Sequence, residues 1–341
     1  MPEMLSWKKD YTAFPLPRQA KGGGGGRVGL HMLFLWIPAA LLLLGAAVAY
    51  AAYRYAYYSP HKGQNDPYMS PEGRRYTPED GPMYGLIREM EQLPYESVWI
   101  RSRDGLRLHG RYYHVRDGAP LQIQMHGYRG HPLRDFCGGN KLAREAGLNT
   151  LVVEQRAHGE SEGHVISFGI NERWDCLCWA EYAAQRWPGV PISLAGISMG
   201  AASVLMASDL PLPEEVKGIL ADCGYSSPRA IIKKVCWDLP KYMRVLYPFT
   251  SLSAGIFGRF DPDSGSALGA VSNTSLPILL IHGEADGFVP CQMSREIAAA
   301  CASKVRLETF PGAGHGASYL ADPERYTRVV LDFLHSIGAD A

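Results

Sequence analysis

The stretch that decides the fold is Ile192–Ala202, ISLAGISMGAA. Its first residues form a short apolar run typical of a buried strand, and the residues from Met199 onward predict a helix to Ser208. Between them stands the pattern G-x-S-x-G, centred on Ser198, in the strand-to-helix context that this pattern requires. A serine on so sharp a turn has a strained backbone, so its neighbours must lack bulk, and Gly196 and Gly200 meet that need. We expect Ser198 to lie exposed at the edge of a sheet.

Strands and helices alternate on both sides of this turn. A hairpin through Asp104-Gly105 precedes the strand Leu121–Met125, and the pattern continues to a last strand, Val305–Phe310, and a last helix, Pro323–Ile337. Short apolar strands that alternate with helices predict an α/β fold, a mostly parallel twisted sheet with helices on both faces. Residues 224–276 interrupt the rhythm. They are either a helical cap inserted at about 225–262 or an ordinary surface helix and loop.

Serine needs a base to remove its proton, and the base needs a carboxylate to orient it. Among eleven histidines, His315 stands out because it lies in a glycine-lined loop after the last strand. Asp286 follows the apolar strand ILLIH, and the chain order Ser198, Asp286, His315 is the order expected for this type of sheet. Asp222 and Glu284 are weaker alternatives for the acid.

An acyl-transfer site also needs two amides for the oxyanion. We assign these amides to Met199, directly after the nucleophile, and to Tyr128, in the turn His126–Gly130. Arg129 is a candidate contact for an anionic substrate group, and the alternative is that Tyr128 and Arg129 are ordinary loop surface. The sequence contains no zinc, P-loop or dinucleotide motif, so we expect no cofactor and no metal.

The N-terminal region predicts a membrane anchor. Met32–Tyr53 contains 22 residues without a charge, which as a helix would be about 33 Å long and would match a bilayer core. We expect a basic leader over 1–31 with a flexible linker at Gly22–Gly26, a transmembrane helix over 32–53, a tether over 54–94 and the catalytic domain over 95–338. The alternative is a signal peptide, since Ala47-Val48-Ala49 resembles a cleavage site.

The charge distribution agrees with a membrane protein. The chain of 341 residues has 34 Lys and Arg and 34 Asp and Glu, yet residues 1–62 carry seven basic and two acidic residues. A balanced total argues against a nucleic-acid partner, and the basic leader favours a single-pass protein of the cell membrane with an extracytoplasmic catalytic domain. Seven cysteines without a CxxC pair indicate small buried side chains, and an exported domain also allows disulfides.

The motifs MHGYRG, EQRAHGESEG, GISMGAA, LIHGEADGFVP and FPGAGHG, in this order, resemble those of bacterial α/β-hydrolases. The resemblance covers about residues 95–337 and is strongest to serine aminopeptidase-like and abhydrolase-domain enzymes. It implies the α/β-hydrolase fold, Ser198 as nucleophile with Asp286 and His315, an oxyanion hole from Tyr128 and Met199, and a lid at 225–262.

We therefore expect a membrane-anchored serine hydrolase that cleaves carboxylic esters or thioesters of small or lipid-like acyl substrates through an acyl-enzyme. One alternative is a peptidase, which would need a carboxylate in the cap, where Asp238, Asp261 and Asp263 are available. The other is a binding protein without catalysis on the same scaffold.

Overall fold

The computed structural model describes residues 25–60, 66–70 and 74–340. Its centre is an eight-stranded sheet in the order β1-β2-β4-β3-β5-β6-β7-β8. The first three strands in this order pair antiparallel, and the remaining pairs are parallel. The strands are β1 Glu96–Arg101, β2 Arg107–Tyr113, β3 Leu121–Met125, β4 Asn149–Val153, β5 Ile192–Ile197, β6 Val216–Asp222, β7 Ile278–Gly283 and β8 Val305–Phe310.

Helices cover both faces of this sheet. Two clusters of buried apolar residues lie on its two sides, one with residues of α4, α5, α8 and α9 and the other with residues of α2, α3 and α11. The helices are α1 Gly25–Ala56, α2 Pro82–Glu91, α3 Pro132–Glu145, α4 Glu172–Arg186, α5 Met199–Met206, α6 Pro228–Asp238, α7 Tyr247–Ile256, α8 Ala267–Val271, α9 Cys291–Ala300, α10 Ser318–Ala321 and α11 Pro323–Ser336.

The central strands are apolar throughout because both of their faces are buried. In β5, Leu194 joins one cluster and Ala195 joins the other, as expected when successive side chains point to opposite faces. The predicted fold class, a mostly parallel sheet with helices on both faces, is confirmed.

The N-terminal helix α1 is long and apolar enough over Trp36–Ala56 to span a membrane. Residues 1–24 of the predicted leader lie outside the described residues, and Gly25 and Gly26 of the predicted linker begin α1. The chain divides into two compact units, Met1–Ala47 and Val48–Ala341. The last residues of α1 therefore belong to the larger unit.

The expected tether over 54–94 differs from the structure. Tyr57 is fully buried, and α2 packs on α3 with Ile87 and Met90 buried. The physical reason is that α2 is amphipathic: Ile87 and Met90 stand three positions apart on one face, so the helix can bury them while its polar side stays in water.

The segment between β6 and β7 is mainly helical. It contains α6, a 3-10 helix over Lys241–Leu246, α7 and α8. We use the term cap segment for residues 225–262, which contain the first three of these elements.

Candidate active site

The turn at Ser198 has the strained backbone that the glycine pattern predicts, but the serine is 6% exposed and so is buried, not exposed as expected, because His315 and the loop at Gly127 lie against it. Ser198 has φ 54° and ψ −113°, a backbone conformation that costs energy for a residue with a side chain. A Cβ atom on Gly196 would lie 2.3 Å from the backbone of Gly200, and one on Gly200 would lie 1.8 Å from the carbonyl oxygen of Met125. Only glycine fits at either position, so the two glycines permit the turn.

The structure brings Ser198, His315 and Asp286 together. Nε2 of His315 lies 2.9 Å from Oγ of Ser198, and Nδ1 of the same ring lies 2.7 Å from Oδ2 of Asp286. Ser198 follows β5, Asp286 follows β7, and His315 lies in the loop after β8. Because these parallel strands end at the same edge of the sheet, their loops meet there.

The carboxylate of Asp286 is held by its own loop. Its Oδ1 accepts hydrogen bonds from the amides of Phe288 and Val289, at 2.9 and 2.8 Å. Burial acts to raise the pKa of Asp286, but the hydrogen bonds from His282 and His315 and from this loop outweigh it and hold the pKa well below its usual value. Asp286 therefore stays ionised, which suits a partner of an imidazolium ring.

His282 contacts this loop through a ring nitrogen. Its Nε2 donates to the carbonyl oxygen of Val289 at 2.9 Å, and its Nδ1 lies 2.7 Å from Oγ of Ser294. His126 has a similar part beside the nucleophile, where Nδ1 donates to the carbonyl of Gly127 and Nε2 accepts from the amide of Gln155. Both rings are hydrogen-bonded parts of the scaffold, and burial lowers the pKa of His126.

The two alternative acids have other partners. Asp222 is buried, and its Oδ2 accepts a hydrogen bond from the hydroxyl of Tyr326 at 3.1 Å. Glu284 accepts a hydrogen bond from Thr309 on β8, at 2.7 Å. Asp286 is the one of the three acids whose carboxylate is within hydrogen-bond distance of His315.

The predicted oxyanion loop passes directly beside the nucleophile. A Cβ atom on Gly127 would lie 3.4 Å from Cβ of Ser198, and Tyr128 follows in the chain. Met199 is the first residue of α5, where backbone amides have no partner within the helix. Met199 thus follows Ser198 in the chain, and the residue before Tyr128 lies beside Ser198. The assignment of their amides to the oxyanion stays a prediction.

Arg129 does not match its predicted contact. Its guanidinium donates to the carbonyl oxygens of Tyr55 and Tyr58, at 2.7 and 3.2 Å. The hydroxyl of Tyr128 donates to the carbonyl oxygen of Ala56 at 2.8 Å. These carbonyls lie at and just after the C-terminal end of α1. The loop beside the nucleophile is therefore fastened to the end of the N-terminal helix.

Two residues of the site were not singled out from the sequence. Phe288 packs against the ring of His315 with centroids 5.2 Å apart. Cys223, directly after β6, places its sulfur within 4.8 Å of ligand atoms of Asp286 and His315. These three residues would offer three ligands to a metal, but burial raises the pKa of the Cys223 thiol well above its usual value, so the thiol is a poor ligand.

The cap segment contacts the loop of the acid. Nζ of Lys234, on α6, donates to the carbonyl oxygen of Gly287 and also pairs with Asp238. Lys234 thus joins the cap segment to the residue after Asp286.

Known proteins resemble this chain in sequence and in fold. No family model matches this chain. The protein YqkD of Bacillus subtilis is 22% identical over 259 residues, which cover 74% of this chain and 84% of YqkD. The human protein ABHD12B is 26% identical over 193 residues, covering 54% of this chain and 50% of the human protein.

Among solved structures, the esterase Pf2001 of Pyrococcus furiosus has a TM-score of 0.59 at 24% identity. The match covers 77% of this chain and 94% of the esterase. The mostly parallel sheet of this chain and the strand-turn-helix at Ser198 are features expected of the same fold. The chain therefore has the α/β-hydrolase fold.

Proposed function

We propose that this protein is a serine hydrolase that cleaves carboxylic esters or thioesters through an acyl-enzyme, with Ser198, His315 and Asp286 as its catalytic triad. The observation that carries the proposal is the unbroken relay from Oγ of Ser198 through His315 to the buried carboxylate of Asp286, at 2.9 and 2.7 Å. The fold shared with an esterase supports the same reaction class.

In the first half of the reaction, Oγ of Ser198 attacks the substrate carbonyl carbon while Nε2 of His315 accepts the hydroxyl proton. The oxyanion that forms takes hydrogen bonds from the amides of Met199 and Tyr128. His315 then gives its proton to the departing alcohol or thiol, and the acyl group stays on Ser198. Asp286 holds the ring in the required tautomer throughout.

Water completes the cycle. His315 removes a proton from a water molecule, the resulting hydroxide attacks the acyl carbon, and Ser198 regains its proton as the acid departs. Every proton in the cycle passes through Nε2 of His315, so the sequence of steps needs no group outside the three side chains and the two amides.

The proposed substrate class follows from the proposed location of the protein and from the carboxylates near the cap segment. We place α1 in the cell membrane with the catalytic domain on its extracytoplasmic side, so small or lipid-like acyl compounds would reach Ser198. For a peptidase, the carboxylates of the cap segment would have to bind a free amine. Asp238 is paired with Lys234, and Asp263, directly after the cap segment, with Arg229, whereas Asp261 accepts a hydrogen bond from the amide of Asp263. Two of the three candidate carboxylates are thus neutralised by a cation, which supports ester chemistry over peptide chemistry.

The first experiment tests the nucleophile. We expect a fluorophosphonate probe to label the full chain in detergent and the Ser198→Ala variant to remain unlabelled, because the probe forms its covalent bond with an activated serine oxygen. Ser272→Ala is the matched control, since Ser272 is an exposed serine that donates to the carbonyl of Gly269, and it should be labelled like the wild type.

Absence of labelling in folded wild-type protein would favour the binding protein without catalysis. Equal labelling of Ser198→Ala would assign the reactive serine to another position. A panel of p-nitrophenyl esters of increasing chain length, run beside aminoacyl anilides, then separates esterase from peptidase.

A further inference from the structure

The outer side of the cap segment carries a group of exposed apolar side chains. Tyr242, Val245, Leu252 and Ile256 are 79, 64, 55 and 56% exposed. They lie within 15 consecutive residues of α7 and the 3-10 helix before it. Leu252 follows Val245 by seven positions and Ile256 follows Leu252 by four, which places these three residues on one side of the helical run. We call these four residues the cap face. Single exposed apolar residues are ordinary, whereas a contiguous group marks a contact surface.

The charged residues within the segment that carries the cap face are all cationic. Between Asp238 and Asp261 the chain contains Lys241, Arg244 and Arg259 and no acidic residue. An apolar face accompanied by cationic side chains is the composition of segments that lie in the interface of an anionic bilayer, with apolar groups toward the acyl chains and cations toward the headgroups.

The cap segment also holds the end of α1. The ring of Phe257, directly after α7, packs against the rings of Tyr50 and Tyr53, with centroids 5.3 and 5.7 Å apart. The hydroxyl of Tyr57 donates to the carbonyl oxygen of Thr250 at 3.3 Å. All five residues belong to the compact unit Val48–Ala341. The cap segment is thus fixed to the last two turns of the candidate span, where tyrosines prefer the membrane interface.

We propose that the cap face lies in the interfacial layer of an anionic lipid bilayer. The inference rests on the membrane span that forms part of the proposed function, and it adds a second membrane contact made by the hydrolase fold itself. Continuity with the end of the span, the exposed apolar group and the cationic surroundings all favour lipid over a protein partner. The same cap segment contacts the loop of Asp286 through Lys234.

The test measures tryptophan quenching by lipid. The full chain is reconstituted in vesicles of phosphatidylcholine and phosphatidylglycerol whose acyl chains are brominated, because bromine quenches only indole rings that contact the acyl region. We expect the emission added by Leu252→Trp to be lost in brominated vesicles to an extent comparable with that of Trp36, obtained from the difference between wild type and Trp36→Phe. Leu331→Trp is the matched control, on a leucine of α11 that is 38% exposed, and its added emission should be unchanged.

Each other result overturns the proposal. Unquenched emission from Leu252→Trp beside a quenched Trp36 would show that the cap face contacts water or a protein. Equal loss from Leu252→Trp and Leu331→Trp would show adsorption without a preferred face, and an unquenched Trp36 would remove the span on which the inference rests. Ile256→Trp repeats the measurement if Leu252→Trp does not fold. The readout involves no hydrolysis, so its failure is distinct from a failure of fluorophosphonate labelling.

Discussion

Two buried carboxyl groups, Asp222 and Asp286, follow or end neighbouring strands but lie in different electrostatic surroundings. Asp286 accepts hydrogen bonds from two amides and pairs with His315. The carboxyl group of Asp222 accepts a single hydrogen bond, from the hydroxyl of Tyr326 to Oδ2, and its Oδ1 is buried without a partner within the described structure. Burial therefore dominates and raises the pKa of Asp222 to about 6, against the lowering effect of Tyr326 and of the nearby His282 and His315.

This raised pKa predicts how stability depends on pH. Between the unfolded pKa, about 3.9, and the folded pKa, about 6, the unfolded chain releases a proton that the folded chain retains. Below the lower value the protonated carboxyl of Asp222 leaves stability unchanged. As pH rises through this window, Asp222 lowers the free energy of unfolding by about 3 kcal/mol in total, at 1.36 kcal/mol per pKa unit.

We expect the Asp222→Asn variant to lack this loss, because its amide does not ionise. The measurement is the melting temperature of both proteins between pH 4 and pH 7, in which wild type should decline relative to the variant as pH rises. The variant should still be labelled by the fluorophosphonate probe. Parallel curves for the two proteins would contradict the assignment of the titration to Asp222.

At the scale of elements, hydrogen bonds join the loop beside Ser198 to the C-terminal end of α1. The last carbonyl groups of a helix have no partners within it, and a cation near that end is favourable. Arg129 supplies both a donor and a charge there, and it has φ 48°, a conformation uncommon for a residue with a side chain. The contact with α1 thus helps to hold the backbone next to Tyr128.

We expect Arg129→Ala to lower kcat about ten- to a hundredfold with little change in KM, since a displacement of the order of 1 Å in a catalytic group has an effect of that size. Arg129→Lys should recover part of the activity because it restores a donor. Arg173→Ala, which removes a hydrogen bond to Ser264 elsewhere on the surface, should leave kcat unchanged. A variant with a lower melting temperature and an unchanged kcat would show that Arg129 stabilises the fold without positioning the loop.

The sequence predicts some elements well for a physical reason. The strands β3 and β8 have the predicted bounds, because a short apolar run between turn residues has few other stable conformations in a folded chain. The helix α2 was missed because its ten residues include Pro82 and Gly85 and lie in a polar stretch that is also typical of a linker. Local composition carries little information about a helix whose stability comes from packing on α3.

The residues of the candidate site also divide into those that the sequence predicts and those that it does not. Ser198, Asp286 and His315 each follow a predicted strand, so topology alone brings them to one edge of the sheet. The contact of Arg129 with Tyr55 joins residues 74 positions apart, and no local pattern indicates it. Cys223 likewise gives no signal, because a single buried cysteine is most often a small apolar side chain.

At the scale of the whole molecule, the larger compact unit, Val48–Ala341, begins before the end of the apolar run. Tyr53 is 9% exposed and Tyr57 is fully buried against Phe168 and Phe260. The larger unit therefore includes residues that the sequence analysis assigns to the transmembrane helix and to the tether. A chain that starts after residue 58 would leave aromatic surfaces of the core in contact with water.

We therefore expect two truncated chains to behave differently. A chain that begins at Val48 should fold, and one that begins at Ser59 should be less stable by more than about 3 kcal/mol, the usual cost of removing one large buried aromatic side chain. Thermal denaturation followed by near-ultraviolet circular dichroism measures the difference. Tyr57→Ala in the full chain is the companion variant, and equal melting temperatures for the two truncated chains would place the boundary after α1 instead.

The backbone of Ser198 has a consequence for how this protein can evolve. Glycine would adopt φ 54° at almost no cost, whereas serine pays roughly 1–3 kcal/mol for a sparsely populated conformation. Selection for heat tolerance alone would thus draw position 198 toward glycine, which has no hydroxyl group to act as a nucleophile. With Ser198 as the proposed nucleophile, replacement by glycine would exchange activity for stability at this one position.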